Sequence, residues 1–413
     1  MPRISIVFSL LLAGAALAAC SPALAQAEIP QDSIEAISPT ATPLSNSTQN
    51  THACDDPFDG ATPAFNTTYW STDFCQHSID YSEIFSGGPP PDGIPPIDAP
   101  RFEEITSADS WLENREPVIG LVLNGEARAY PLQILTWHEI VNDEVAGLPV
   151  TVTFCPLCNT ALVFERPEMD GEILTFGTSG NLRNSDLVMY DRQTQSWWQQ
   201  FSGEAIVGEL TGSRLTPIPA SIIAWEDFKA AYPQGQVLSQ DTGFSRSYGQ
   251  NPYVGYDNVS AYPFLFTGEV DDQLRPMDRV VGIWLESGEA VAYPYLRIRE
   301  ELVINDTLSE LPLVVFWKAG AASALDTATI AEGNDIGSTG VFSAELEGEL
   351  LTFSANEDGT FTDNNTNSTW DIFGQAIDGP LTGKSLHAIS HHDTFWFAWA
   401  AFVPGETLRS LEN

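Results

Sequence analysis

Two cysteines near the middle of the chain have the spacing of a redox or metal site. Cys155 and Cys158 stand in the run Thr-Phe-Cys-Pro-Leu-Cys, a Cys-x-x-Cys motif. Two thiols at this spacing form a readily reduced disulfide or present two thiolates to a soft metal such as copper or zinc. The motif therefore predicts thiol-disulfide exchange or metal binding, and a purely structural bridge is a third interpretation.

Two stretches of the chain resemble one another, and the cysteine motif occurs in the first alone. Val118–Pro131 aligns with Val280–Pro294 with one inserted residue, and further short matches follow in the same order. In this register the second stretch has Phe316–Ala321 where the first has the motif. A fold shared by two copies does not need thiols that one copy lacks, so the pair is a candidate for chemistry.

Histidines are the next candidates, because imidazole serves both as a base and as a metal ligand. His138 precedes Cys155 by 17 residues, and the equivalent position in the second copy is Glu301. The predicted catalytic residues are Cys155, Cys158 and His138, and the predicted metal ligands are these three with His391 and His392, if the copies pack face to face. The alternatives are a hydrogen-bonded core histidine at 138 and a solvated loop at 391–392.

A polar stretch downstream of the thiols is a candidate pocket wall. The run Ser-Gly-Asn-Leu-Arg-Asn-Ser-Asp reads as a glycine-introduced loop between strands. The predicted pocket residues are Ser179, Asn181, Arg183, Ser185 and Asp186. The alternative is an ordinary turn in which Asn and Asp side chains satisfy the backbone.

The N-terminus has the pattern of an export signal. Arg3 precedes the apolar run Ile4–Ala19, which is too short for a stable membrane-spanning helix. Leu17–Cys20 resembles a bacterial lipobox and predicts lipidation of Cys20, so that the membrane is contacted through the lipid only. Ala23–Ala25 is a competing cleavage site, which predicts a periplasmic or secreted protein. Either way we expect an exported protein of the cell envelope.

Composition limits the partners. The formal net charge is −39 with only three lysines among 413 residues, which argues against nucleic acid as a partner. In an oxidising compartment, Cys54 and Cys75 are predicted to form a structural disulfide. The remaining pair, Cys155 and Cys158, then predicts a redox or metal-delivery partner.

The pattern of short apolar and alternating runs predicts a mainly β protein with two tandem β-rich modules packed together and few short helices. The expected strands are Val118–Leu123, Ala127–Tyr130, Val141–Val145, Val150–Phe154, Ala161–Arg166 and Glu172–Phe176, the last two forming a hairpin around Asp170-Gly171. Helices are expected from Pro131 and over Ser221–Tyr232. The predicted segments are a leader (1–25), a disordered tether (26–50), an N-terminal extension with the disulfide (51–117), the first module (118–233), a connecting segment (234–279) and the second module (280–405).

Several separated motifs carry a family resemblance. They are Val152–Ala161 around the thiols, Trp137–Glu139, Phe176–Arg192, and Asp241–Gly249 onward to Pro252-Tyr253. Over about residues 100–405 the chain resembles the bacterial and archaeal domain-of-unknown-function family 3179. The resemblance implies no established reaction. Some members of that family carry selenocysteine in the Cys-x-x-Cys motif, which implies a nucleophilic redox centre.

The sequence thus predicts an exported, lipid-anchored protein with a redox centre at Cys155 and Cys158 that carries out thiol-disulfide exchange. A copper- or zinc-binding protein is the first alternative. A non-catalytic surface interaction protein, in which the motif is only a bridge, is the second.

Overall fold

The computed structural model describes residues 54–403, 405 and 407–409. The predicted leader, the lipidation site Cys20 and the predicted tether lie outside the described residues. The predicted disulfide between Cys54 and Cys75 is confirmed, with the two Cα atoms 5.8 Å apart. Among the described residues, no helix has the length and apolar character needed to cross a membrane.

The protein is mainly β, as predicted, with short helices between strands. The first elements are β1 (Ile84–Ser86), β2 (Phe102–Glu104), α1 (Ile105–Ala108), β3 (Pro117–Leu123), β4 (Glu126–Pro131), α2 (Leu132–His138), β5 (Ile140–Val145), β6 (Leu148–Cys155), β7 (Thr160–Glu165), β8 (Glu168–Met169) and β9 (Glu172–Ile173). They continue with β10 (Phe176–Arg183), β11 (Asp186–Asp191), β12 (Trp197–Gln199), β13 (Glu204–Val207), β14 (Pro217–Ile218), β15 (Ala220–Ala224), α3 (Trp225–Ala231) and β16 (Gln236–Leu238). We call β3 to α3 the first half.

These strands form three larger sheets. Their orders are β15-β3-β4-β16-β2, β14-β7-β6-β5 and β1-β10-β11-β12-β13. The β3-β4 hairpin closes at Asn124-Gly125, where both residues have positive φ, as the predicted hairpin turn requires. β6 is flanked on both sides and fully buried, which explains its nearly continuous apolar run.

The remaining elements form what we call the second half. They are β17 (Arg279–Trp284), β18 (Ala290–Pro294), α4 (Tyr295–Glu301), β19 (Val303–Leu308), β20 (Leu311–Lys318), β21 (Ser338–Ser343), β22 (Glu345–Leu346), β23 (Glu349–Leu350), β24 (Phe353–Ala355), β25 (Phe361–Asp363), β26 (Thr369–Trp370), β27 (Ala376–Asp378), β28 (His392–Phe395) and α5 (Trp396–Phe402). Single 3-10 turns lie at Thr67–Tyr69, Tyr81–Glu83 and Ile330–Glu332.

The two halves arrange their strands alike. The order β18-β17-β28 matches β4-β3-β15, and β19-β20-β21 matches β5-β6-β7. The indole nitrogen of Trp198 donates to Asp191 over 2.9 Å, and that of Trp370 donates to Asp363 over 3.1 Å. These are equivalent elements in equivalent roles. The tandem duplication itself stays a prediction.

Three local predictions need correction. The predicted helix Ser221–Tyr232 is half strand, because Ile222 and Ile223 pair with β3 and only Trp225–Ala231 is helical. The Asp170-Gly171 turn joins β8 to β9, whereas β7 pairs with β6 and β14. Ser179, Asn181 and Arg183 belong to strand β10 rather than to a loop. In each case strand pairing decides the conformation, and local propensity does not reveal which strands pair.

The segment after β16 crosses from the first half to the second. β16 itself pairs with β2 and β4, and residues 239–278 contain no helix or strand. Backbone hydrogen bonds from Gly255 to Asp326 O and from Tyr256 to Leu325 O tie this segment to the loop after β20. It covers the cysteine motif, and its aromatic residues enter the site described next.

Candidate functional site

The two cysteines lie in a tight turn between β6 and β7, as the sequence predicts. Cys155 is the last residue of β6, and the amide of Cys158 donates to Cys155 O over 3.3 Å. Asn159, at φ 55°, completes the reversal of the chain. Both residues are free thiols, and they are 1% and 0% exposed. The sulfur atoms therefore meet the protein interior and not bulk solvent.

Strand β28 of the second half holds this turn from behind. Cys158 O accepts hydrogen bonds from the amide of Phe395 and from the hydroxyl of Thr394, each over 3.0 Å. The Asn159 side chain donates to Asp393 O over 3.2 Å. The turn that carries the chemistry in the first half is thus fixed by a strand of the second.

Asp186 brings a carboxyl group to the thiols from the start of β11. Its Oδ2 accepts from Gln199 Nε2 over 2.6 Å and from the amide of Phe201 over 3.0 Å. Its Oδ1 is buried without a hydrogen-bond partner of ordinary geometry. One Asp186 oxygen and the sulfur atoms of Cys155 and Cys158 all lie within 4.8 Å of one another. Two sulfurs and a carboxylate oxygen therefore form one buried group of metal-type donors.

Electrostatics keeps the two thiols protonated when no cation is present. Burial raises the pKa of Cys155 and raises that of Cys158 well above the ordinary thiol value, and the Asp186 carboxyl adds to both shifts. Burial also raises the pKa of Asp186 to about 6. No cation is among the main influences on these three groups. Reactive cysteines in enzymes lie in electropositive surroundings, and these do not.

A second buried carboxyl lies at a cavity beside the turn. Glu139 follows α2 in a left-handed conformation, with φ 60°, and is 7% exposed. Its Oε1 accepts from the Tyr253 hydroxyl over 3.5 Å, and burial raises its pKa to about 8. Glu139, Tyr253 and Leu157, a residue of the cysteine turn, line a cavity of about 330 Å³.

The predicted histidines lie elsewhere. His138 uses both ring nitrogens in 2.7 Å hydrogen bonds, to Pro95 O and to the Tyr248 hydroxyl. Burial lowers its pKa. These contacts match the hydrogen-bonded core histidine that the sequence left as the alternative. Within the described residues, no histidine belongs to the donor group of Cys155, Cys158 and Asp186.

His391 and His392 are buried rather than placed in a solvated loop. His391 has Nε2 3.6 Å from Asp393, and this neighbour raises its pKa although burial opposes the shift. His392 has Nε2 3.0 Å from Phe201 O, and burial lowers its pKa to about 4. Both rings therefore contact groups of the protein interior. His391 lies beside Asp393 of β28, and His392 lies beside the carbonyl of Phe201, which follows β12.

The structure places the five predicted pocket residues in different surroundings. Asn181 lines the cavity, and Ser185 and Asp186 meet the thiols, with Cys158 Sγ 3.4 Å from Ser185 O. The Ser179 hydroxyl donates to Val188 O within the sheet. Arg183 pairs with Glu83 over 2.7 Å. The structure thus brings three of the five to the site.

Sequence reasoning missed Glu139, Tyr253 and Tyr256 as site residues. The sequence contains a signal for two of them, because Trp137–Glu139 and Pro252-Tyr253 are among the motifs that carry the family resemblance. In the first motif, His138 is the more familiar functional residue, and Glu139 stands next to it. Tyr256 carried no signal of its own.

The cysteine turn and the carboxyl groups beside it lie in a part of the chain that matches a known family. The family whose description is Protein of unknown function (DUF3179) matches residues 91–406. The chain belongs to the DUF3179 family. No curated protein and no solved structure matches it. The DUF3179 match contains the cysteine turn, Asp186, Glu139 and the covering segment, so the donor group and the cavity carboxyl belong to the family domain.

Proposed function

We propose that Cys155, Cys158 and Asp186 bind a metal ion, with Zn²⁺ as the best fit. The observation that carries this proposal is the buried Asp186 Oδ1, which has no backbone or amide donor and lies with two sulfurs in one donor group, so that only the thiol protons can satisfy it. When those thiols ionise, this oxygen loses its remaining donors. A buried carboxylate oxygen without a partner is costly, and a bound cation removes that cost. Zinc accepts both thiolate and carboxylate ligands, whereas Cu⁺ prefers sulfur alone.

The dimensions of the donor group suit such an ion. In tetrahedral zinc sites the ligand sulfurs are about 3.8 Å apart, given Zn–S bonds of about 2.3 Å. The donor atoms here lie within 4.8 Å of one another, so a small contraction brings them to ligand distances. Three protein ligands are typical of catalytic zinc sites, which leave a fourth position for water or substrate. A bound zinc would supply Lewis-acid activation at that position.

Charge supports the same assignment. A divalent cation offsets two of the three negative charges of two thiolates and one carboxylate, whereas burial disfavours the metal-free thiols as anions. Gln199 and the Phe201 amide hold the other oxygen of Asp186 in place, as outer-shell groups do at metal sites. A metal-delivery partner follows as part of this proposal.

A second candidate is the thiol-disulfide exchange predicted from the motif. It is favoured by two adjacent free thiols with a hydrogen bond between them. One thiolate attacks a small disulfide and releases one thiol; the other thiol then displaces the mixed disulfide. Cys155–Cys158 is thereby oxidised, and the partner leaves as two thiols with two electrons and two protons gained. Both sulfurs are buried and neither cysteine lines the 330 Å³ cavity, so an oxidant reaches them only when the segment covering the turn moves.

Export and lipid attachment through Cys20 remain part of the proposal. The Cys54–Cys75 disulfide supports an oxidising compartment. A surface interaction role with a purely structural cysteine pair is less well supported, because Cys155 and Cys158 are free thiols.

Elemental analysis of the full chain, purified without chelator, tests the metal proposal. We expect about one zinc per chain, lost in Asp186→Asn and in the double variant Cys155→Ser/Cys158→Ser, and retained in His138→Gln. Protein that neither contains metal nor retains added Zn²⁺ or Cu⁺ would falsify it. In that case, full oxidation of the two thiols by a small disulfide would support the second candidate.

A further inference from the structure

The 330 Å³ cavity beside the cysteine turn has a composition that defines its ligand. Its walls are mostly apolar, and polar groups are few. The apolar wall residues include Pro89, Ile94, Leu157, Leu182 and Leu187, and the aromatic ones are Tyr253, Tyr256 and Phe264. Glu139 is the single ionisable carboxyl among the described lining residues, and no lysine or arginine lines the cavity. A buried carboxyl therefore faces aromatic and aliphatic side chains without a basic partner.

The fold does not require a carboxyl at this position. Leu302 ends α4 as Glu139 ends α2, and its φ is 63° against 60°. Glu139 O accepts from the amide of Phe154 over 2.8 Å, and Leu302 O accepts from the amide of Trp317 over 2.9 Å. An apolar side chain thus satisfies the same backbone geometry in the second half. Glu139 adds the desolvation cost of a buried carboxyl, and no structural need accounts for it.

The hydrogen bonding of Glu139 leaves it free for a ligand. Its one side-chain hydrogen bond is the 3.5 Å contact from the Tyr253 hydroxyl, and Oε2 has no partner among the described residues. An anionic ligand is disfavoured, because Glu139 and the nearby Asp186 are both acidic. A neutral apolar ligand would leave the carboxyl without a partner. A cationic ligand gives the carboxyl a partner of opposite charge. Aromatic rings such as those of Tyr253, Tyr256 and Phe264 also attract cations.

A second large cavity has charged side chains of both signs. Its volume is about 580 Å³, and it is lined by four arginines and three aspartates, of which Arg275 pairs with Asp278 and Arg279 with Asp257. The carboxyl and aromatic side chains of the smaller cavity are thus not a general consequence of the acidic composition.

We propose that the cavity of Glu139, Tyr253, Tyr256 and Phe264 binds a small organic cation, an amine or a methylated ammonium. Its carboxyl pairs with the positive charge, and its aromatic and aliphatic walls cover the alkyl groups. None of these four residues is a proposed metal ligand, so the inference goes beyond the metal proposal and stands or falls separately from it.

Isothermal titration of the full chain at pH 9, where Glu139 is ionised, and at fixed metal content, with two probes of nearly equal shape tests the inference. Choline carries the charge, and 3,3-dimethylbutan-1-ol is its uncharged counterpart. We expect choline to bind at least ~10-fold more tightly than the alcohol. Glu139→Gln and Glu139→Leu should each weaken choline binding at least ~10-fold and leave the affinity for the alcohol within about twofold. Leucine at position 139 reproduces the second half, so that variant keeps the fold.

Glu116→Gln is the matched control, because Glu116 is also buried but accepts from Gln133 away from this cavity. Its choline affinity should equal that of the unchanged protein. Equal binding of the two probes, choline binding unaffected by the Glu139 substitutions, or no choline binding below ~10 mM would each overturn the inference. Repeating the titration with Cys155→Ser/Cys158→Ser separates it from the metal proposal, since choline binding is expected to survive loss of the metal.

Discussion

The turn after β6 and the loop after β20 follow the middle strands of equivalent sheets but carry different chemistry. Cys155 ends β6, and Lys318 ends β20. Lys318 makes an ion pair with Asp227 of α3 over 2.5 Å, whereas Cys155 faces a second thiol and a carboxyl in the interior. The same strand order thus supports a partly buried ion pair in one place and a buried group of metal-type donors in the other. The strand arrangement therefore does not depend on the thiols and the carboxyl.

The second half nevertheless contributes to the site. Through Thr394 and Phe395, β28 donates two hydrogen bonds to the carbonyl of Cys158. The equivalent strand of the first half, β15, has Ile223 where β28 has Thr394. One half therefore provides the reactive groups, and the other provides the support behind them.

The largest effect should come from making the turn resemble the loop of the second half. We expect Cys155→Ser/Cys158→Ser to abolish metal binding and to leave far-UV circular dichroism unchanged, because the second half folds without thiols. Lys318→Ser, at the matched strand position, should retain the metal. Metal content and circular dichroism measured on the same samples check this. If the double variant loses its folded structure while the metal-free form of the unchanged protein keeps it, the cysteine pair has a structural role.

Asp186 offers a second comparison between the halves. It lies five residues before Asp191, and Asp358 lies five residues before Asp363, which has the matching tryptophan contact. Asp358 is exposed, with Oδ1 accepting from the Thr360 amide, so neither of its oxygens is buried without a partner. We expect Asp186→Asn to weaken Zn²⁺ at least ~100-fold in competition with a chromogenic chelator, and Asp358→Asn to have no effect. Equal affinities in the two variants would contradict the ligand role of Asp186.

The sequence was informative where signals are local. The Asn124-Gly125 hairpin, the turn that carries Cys155 and Cys158, and the Cys54–Cys75 disulfide all follow from short motifs and are confirmed. The meeting of Asp186 with the thiols depends on how β11 packs against β6, about thirty residues away in the chain, and no local pattern reports that contact. His138 shows the same limit, because its partners Pro95 and Tyr248 lie far from it in sequence.

The pH dependence of stability should separate Glu139 from Leu302. Because burial raises the pKa of Glu139 to about 8, the folded metal-free protein binds more protons than the unfolded chain, whose glutamates titrate near pH 4.3. The contribution of Glu139 is therefore fully present below about pH 4 and is lost as the pH rises through about 8. We expect Glu139→Leu to raise the Tm at pH 8 by about 3 °C and to change it less at pH 5.

Differential scanning calorimetry at the two pH values checks this expectation. The pKa of Asp186 is raised to about 6, so its contribution to the stability of the folded state is lost over a lower pH range. In the unchanged protein this earlier loss serves as an internal reference for the pH dependence of the Tm. A Tm gain of equal size at pH 5 and pH 8 would show that the introduced leucine acts through packing and not through removal of a titrating carboxyl.

The smallest effect should come from the support behind the turn. Thr394→Val keeps the shape of the side chain and removes its hydrogen bond to Cys158 O, which costs about 1 kcal/mol and corresponds to about a fivefold loss of Zn²⁺ affinity. The Phe395 amide still holds the carbonyl, so the site is loosened and not lost. Thr307→Val, on the exposed side of β19, is the control and should leave the affinity unchanged. If chelator competition gives Thr394→Val the affinity of the control, β28 contributes packing alone, and the first half holds its site without help from the second.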